Sequence, residues 1–194
     1  MTLDVAPTLT GPRLTLTPLT DADRDALFDA AADPLIWEQH PAPDRYRRPI
    51  FESYFDGLLN AGGTLIARDG NTVIGCSRFY AVPDLPGDWA IGFTFLRRSH
   101  WGGDWNREMK ALMVGHVLSD HHRVWFHIAP GNLRSQIATT RLGARHAFDS
   151  DLDLGAGPVP YRCYTLTATD WEQATGHSML AHDNGLDVEV RQGN

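Results

Sequence analysis

Apolar residues alternate with polar ones in some stretches of this chain and recur every three or four positions in others. These two periods divide it into strands and helices. Residues 13–17 (RLTLT) place leucine at every second position, which predicts a half-buried strand. Thr20 then caps a helix, with the Asp23 carboxylate in its first turn and Leu27, Phe28 and Ala31 on one face; Asp33-Pro34 ends it. Residues 35–44 (LIWEQHPAPD) form a shaped loop or broken helix. Helical spacing returns over residues 46–60, with Ile50, Phe51, Tyr54, Phe55, Leu58 and Leu59 as its apolar set and glycines after it. Residues 64–68 and 72–80 are two strands joined at Asp69-Gly70-Asn71, a hairpin signal. After a turn at 83–87 comes a strand over 89–96 (WAIGFTFL), interrupted by Gly92. A helix over 106–118, a very apolar strand over 124–128, a helix over 133–142 closed by Gly143, and strands over 145–154 and 161–167 complete the set. A helical turn is expected at 170–174, residues 1–10 are a loose lead-in, and no period runs beyond Gly176.

This order, with strands alternating with helices only in its second half, predicts an α+β fold. It is a mixed, largely antiparallel sheet with helices on both faces. The 194 residues suit one domain, taken as 1–175, with 176–194 as a tail of unclear structure. Hydrophobic residues at 42% and charged residues at 21% are enough for a proper core. A net charge of −7 argues against a nucleic-acid partner, which needs a basic footprint. It leaves room for local basic patches at Arg97-Arg98 and at Arg45, Arg47 and Arg48. The two cysteines, Cys76 and Cys163, lie in strand segments without metal-ligand spacing and are read as reduced thiols. Neither a leader pattern nor a membrane-length apolar run is seen, so a cytoplasmic protein, monomer or homodimer, is expected. His116, His121, His122 and His127 lack the spacing of a zinc site, and Asp149, Asp151 and Asp153 lack a calcium loop; no metal is expected.

Chemistry concentrates in residues 93–110, FTFLRRSHWGGDWNREMK. A strand passes through a glycine loop into a helix there. The first N–H groups of a helix have no intrahelical partner and, with the helix dipole, form an anion site. Gly102 and Gly103 let a phosphate approach the backbone. A second strand–helix unit follows, with Gly131-Asn132-Leu133-Arg134-Ser135 at its junction and Leu142-Gly143-Ala144 at its end.

With these pieces the chain resembles the GNAT N-acetyltransferases, in the branch of the ribosomal-protein N-terminal (RimJ/RimL-like) enzymes. The resemblance spans residues 9–169 and rests on GPRLTLTPLTDAD, the WGG…N…E loop and helix, NLRSQ, and the closing LGAR. It implies a twisted sheet splayed between its fourth and fifth strands, where acetyl-CoA or another acyl-CoA wedges and donates its acyl group to an amine. Position by position, it implies that the strand end Phe95-Leu96-Arg97 pairs with the pantetheine arm and holds the thioester oxygen. Trp101, Gly102, Gly103, Asp104, Trp105 and Asn106 would surround the pyrophosphate, Asn132 would hydrogen-bond the pantetheine, and Ser135 would protonate the leaving thiolate. The family's Gln/Arg-x-x-Gly-x-Gly/Ala loop is altered, because Trp101, Asp104 and Asn106 stand at its defining positions. A carboxylate at Asp104 repels a pyrophosphate unless it points away.

Attack by an amine needs a proton acceptor. Glu38 and His40, over the acceptor side in this fold, are the candidates, with Trp37, Glu38 and Trp89 as pocket walls. The acceptor is a protein N-terminus or a small-molecule amine. The alternative expectation is a non-catalytic module on the same fold that binds acyl-CoA or a partner chain.

Overall fold

In a computed structural model of the protein, residues 2–155 and 157–176 are described. The expected tail beyond Gly176 lies outside them. Eight strands form one sheet: β1 (Leu9–Thr10), β2 (Leu14–Pro18), β3 (Thr64–Asp69), β4 (Thr72–Ala81), β5 (Trp89–Leu96), β6 (Val124–Ile128), β7 (Arg145–Asp153) and β8 (Pro158–Leu166). Their spatial order is β1-β2-β3-β4-β5-β6-β8-β7. Every neighbouring pair is antiparallel except β5 and β6.

The sequence periods place most of these elements, and differences arise at the edges. The expected lead-in contributes β1, too short to show a period, which pairs with β2 through Leu9–Leu16 and Thr10–Thr15. Thr20 and Asp23 form a reciprocal capping box. It opens a single 3-10 turn, and α1 (Arg24–Ala31) begins only after it. α2 spans Arg48–Ala61, α3 Trp105–Leu118 and α4 Leu133–Thr140. The expected turn near Asp170 is a full helix, α5 (Ala168–Thr175), started by a second capping box between Thr167 and Asp170.

The helices cover both faces. On one, α3 packs Met109, Leu112, Met113, Val114 and Val117 against Leu16, Leu65, Ile74, Ile91 and Phe126, with Trp171 of α5 alongside. On the other, α1 and α2 bury Leu27, Phe51, Phe55 and Leu58 against Ile66, Val73, Cys76 and Phe95. Phe51 and Phe55 are wholly buried, and each contributes roughly 1.5–3 kcal/mol of burial free energy. A third apolar group, Tyr80, Val82, Ala90, Trp125, Leu152 and Cys163, lies where none of the described helices covers the sheet.

β5 and β6 are paired only at Trp89–Val124 and Ala90–Trp125, and then part. The parting follows a bulge. Cys76 pairs with Phe95 and Arg78 with Gly92, so Ser77 of β4 faces both Phe93 and Thr94 of β5. Phe93 takes φ +52°, a left-handed conformation that costs a non-glycine residue about 1–3 kcal/mol. Such a bulge bends its strand and raises the local twist, which turns the end of β5 away from β6.

Candidate functional site

At the end of the parted strands the chain makes its glycine loop. Gly102 and Gly103 adopt φ +72° and +57°, and a Cβ built on either meets nothing within 4 Å. Among the described residues no partner is found for their N–H groups. The helix α3 begins two residues later, so its first N–H groups extend the same cradle. Arg97, at the head of the loop, keeps its Nε buried and, among the described residues, without a partner. Unspent N–H groups, open glycines and an unpaired guanidinium nitrogen fit a pyrophosphate-bearing ligand.

The Asp104 carboxylate is paired with Arg13, 3.4 Å away and far off in sequence. The repulsion expected from this residue is therefore partly compensated by a cation that the loop motif does not contain. Trp105 packs partly against the α3-side core beneath the Arg13 guanidinium. Asn106 stands half-buried in the first turn of α3.

Phe95 and Leu96 point to opposite faces, into the α1–α2 and α3 layers respectively. The Arg97 N–H donates to the Ile74 carbonyl at 2.6 Å. The Leu96 carbonyl accepts from the Trp101 indole N–H at 2.9 Å. Trp101 thus folds back over the strand end, and Arg134 of α4 lies 4.3 Å above its ring. Arg134 also donates to Glu38 Oε1 at 2.5 Å. Across this mouth the Asn132 side chain caps α4 by accepting from the Ser135 N–H at 3.1 Å. That leaves the Asn132 amide NH₂ and the Ser135 hydroxyl for other partners.

The candidates of residues 35–44 are held differently from expectation. Glu38 is spent on Arg134. Trp37 is buried, donates its indole N–H to the Ala31 carbonyl at 2.8 Å, and packs 5.0 Å from the Phe95 ring, so it is core. His40 Nδ1 accepts from the Ala42 N–H at 2.9 Å, while Nε2 faces the Arg45 guanidinium at 3.1 Å. Burial, and then the charge of Arg45, push the His40 ring down to about 3. Its one lone pair is used locally, which suits a loop former rather than a base. Trp89 sits at the start of β5, seven residues from Leu96, edge-on to His121. It pairs with Val124, one pair before the strands part, and lies at the opposite end of β5 from the glycine loop.

Two clusters at the bulge were missed by reading the sequence. On the α3 side, the buried Lys110 amine donates to Thr94 Oγ1 at 2.7 Å and Ser77 Oγ at 3.2 Å, and those hydroxyls are 2.7 Å apart. Burial pushes its ammonium down to about 7. On the opposite side, Tyr80 of β4 reaches over Gly92, and its hydroxyl lies 3.0 Å from His127 Nδ1 of β6. Burial pushes His127 down to about 4. His127 also lines a cavity of about 330 Å³ beside the β4–β5 loop, walled by Trp125, Phe148 and Leu152. Among the described residues no group of three metal-ligating side chains occurs, and no helix is long and apolar enough to cross a membrane.

Residues 13–145 match the family of acetyltransferase (GNAT) domains. No curated protein matches the chain. Among solved structures it is similar to a GCN5-related N-acetyltransferase from Brucella melitensis (TM-score 0.69, 17% identity, 88% of this chain and 82% of that one). It is also similar to RimJ of Mycobacterium smegmatis in complex with CoA-disulfide (TM-score 0.61, 17%, 84% and 87%). A third is RimL, a ribosomal L7/L12 alpha-N-protein acetyltransferase in complex with coenzyme A (TM-score 0.64, 15%, 83% and 98%). At these identities the structures establish a shared fold.

Proposed function

The chain belongs to the GNAT acetyltransferase family, and from that premise we propose that it transfers an acetyl group, or another acyl group, from acyl-CoA to a primary amine. The observation that carries this reading is the parting of β5 from β6 after the Ala90–Trp125 pair, with the open Gly102–Gly103 cradle at its mouth. An extended pantetheine arm between strands needs such a gap, and a pyrophosphate needs such a cradle. The Asn132 amide and the strand end at Phe95–Arg97 flank the arm, and the Ser135 hydroxyl is the proton donor for the departing thiolate. Trp101 and Arg134 close over the mouth. RimJ and RimL, which share the fold, are described with coenzyme A species. That supports the cofactor class and the RimJ/RimL-like branch, in which the acceptor is a protein N-terminus; a small-molecule amine is the other acceptor class. The working place of the protein is the cytoplasm, as monomer or homodimer.

Calorimetric titration with acetyl-CoA, with desulfo-CoA and ATP as controls, tests the reading. Micromolar binding of the CoA species alone, followed by turnover on an amine panel, is the expected result. Tight binding with no turnover on any amine would favour a non-catalytic acyl-CoA-binding module. No binding at all would leave a partner-binding module on this fold.

A further inference from the structure

Direct attack of an amine on a thioester requires a group that takes one of its protons, and Glu38 and His40 are both engaged elsewhere. The far side of the bulge holds a better-placed group. Side chains on β6 alternate between faces, so while Phe126 joins the α3 core, Trp125 and His127 face the side that none of the described helices covers. Three neighbours fix the His127 ring. Trp125 stacks on it at 6.2 Å and 25°, Tyr161 meets it edge-on at 6.5 Å, and Tyr80 Oη holds Nδ1 at 3.0 Å. Tyr80 reaches that far because β5 carries glycine beneath it: a Cβ at Gly92 would lie 2.9 Å from the Tyr80 ring. The same tyrosine packs edge-on to Phe93, the left-handed residue of the bulge. Nε2 is left over. It has no partner among the described residues, and its ring lines the 330 Å³ cavity.

We propose that His127, oriented by Tyr80, is the catalytic base that accepts the proton of the attacking amine at the mouth of this cavity. The assignment rests on the acyl-transfer reading. With Nδ1–H donating to Tyr80 Oη, the Nε2 lone pair is directed at the acceptor. The amine nitrogen bonds to the thioester carbonyl carbon, one N–H proton passes to Nε2, and the C–S bond breaks with its electron pair on sulfur. The Ser135 hydroxyl protonates the thiolate, and the imidazolium gives its proton, through solvent, back to the serine oxygen. A base oriented by a third group is the general arrangement for this task. Burial keeps the ring neutral at physiological pH, so the lone pair is available without prior deprotonation.

The test compares wild type with His127→Gly and His127→Gln on a panel of phenethylamine, spermidine and an alanine-terminated peptide, using acetyl-CoA. Calorimetry and a melting curve are run on each protein. Both variants should bind acetyl-CoA as wild type does and lose about 10²–10³ in kcat. Added imidazole, entering the enlarged cavity, should restore at least about tenfold to the glycine variant and nothing to the glutamine variant, a rescue that a structural role would not produce. A His127→Gln protein that binds acetyl-CoA and turns over at the wild-type rate overturns the assignment while the acyl-transfer reading stands. A wild type that binds acetyl-CoA and acetylates none of the panel overturns the acyl-transfer reading, and the role of His127 with it.

Discussion

The two faces of the β5 bulge carry two buried titratable groups in opposite situations. On the α3 side, the Lys110 amine meets two hydroxyls that also bond each other, deep in an apolar layer. On the other side, His127 has one nitrogen tied to Tyr80 and one facing a cavity. Burial lowers the pKa of both. A lowered pKa therefore does not by itself distinguish a structural group from a functional one. What separates them is the hydrogen-bond inventory: the Lys110 amine is held by two strand hydroxyls, whereas His127 Nε2 has no partner among the described residues and its ring lines a cavity. Lys110 pins the bulge, and His127 faces a cavity beside the β4–β5 loop.

The sharpest way to break this contrast is at Gly92, which separates the two groups. Gly92→Val places carbon where the Tyr80 ring now lies. Tyr80 must move, and His127 loses its orientation. Turnover should fall by about 10²-fold, since a displacement of this size costs that much in a preorganised site. Acetyl-CoA affinity should stay within about twofold, because the cradle at Gly102–Gly103 is untouched. A fully active Gly92→Val enzyme would remove Tyr80 from the site.

The Lys110 side predicts a pH effect on stability and not on the acceptor. Its pKa is about 7 in the folded chain and near 10.4 when unfolded. Between these values the unfolded state holds the extra proton, so stability rises as pH increases from 7. From pH 7 to 8.5 the rise should be on the order of 2 kcal/mol, at about 1.4 kcal/mol per unit. Lys110→Met should abolish that slope in denaturant titrations at the two pH values. Ser77 and Thr94 would remain bonded to each other and to the Gly92 carbonyl. An unchanged slope would mean that Lys110 stays charged in the fold.

How far the sequence discloses these features depends on whether each is periodic or relational. The β3–β4 hairpin, the apolar faces of α2 and α3 and the glycine loop are local patterns, and they stand in the structure within a residue or two of their expected places. Lys110 was legible too: it shares helical spacing with Met113, Val114 and Val117, so a charged side chain on the buried face could have been flagged. The bulge was not legible, because Gly92 interrupts the strand but nothing local says that Phe93 must turn left-handed. Nor was the pairing of Tyr80 with His127, 47 positions apart, which exists only because β4 and β6 flank a glycine of β5. His127 in a short apolar strand reads as one histidine among several. Trp37 shows the opposite error: a tryptophan beside acidic and histidine residues suggests a pocket wall, yet its indole N–H finds a carbonyl inside the α1 layer.

The smallest effect belongs to the exposed charges at the cofactor end, where the same reasoning about partners applies in water. Asp104 starts α3, but its side chain does not cap the helix; it turns to Arg13, whose guanidinium also bonds Glu108. Arg13 and Asp104 are 43% and 61% exposed, so solvent screens them and neither should matter much to folding. Their difference should show in cofactor affinity instead. Arg13→Gln leaves the Asp104 carboxylate uncompensated beside the phosphate cradle and should weaken acetyl-CoA binding about two- to threefold, whereas Asp104→Asn should strengthen it by a similar factor. In the double variant the loss caused by Arg13→Gln should shrink, because no carboxylate remains at 104 for Arg13 to offset. These differences should fade above about 0.5 M salt, where the screening length falls well below 10 Å. Should Arg13→Gln weaken binding equally in the presence and absence of the Asp104 carboxylate, Arg13 would be contacting the phosphates itself, and the cradle would extend to the residue that precedes β2.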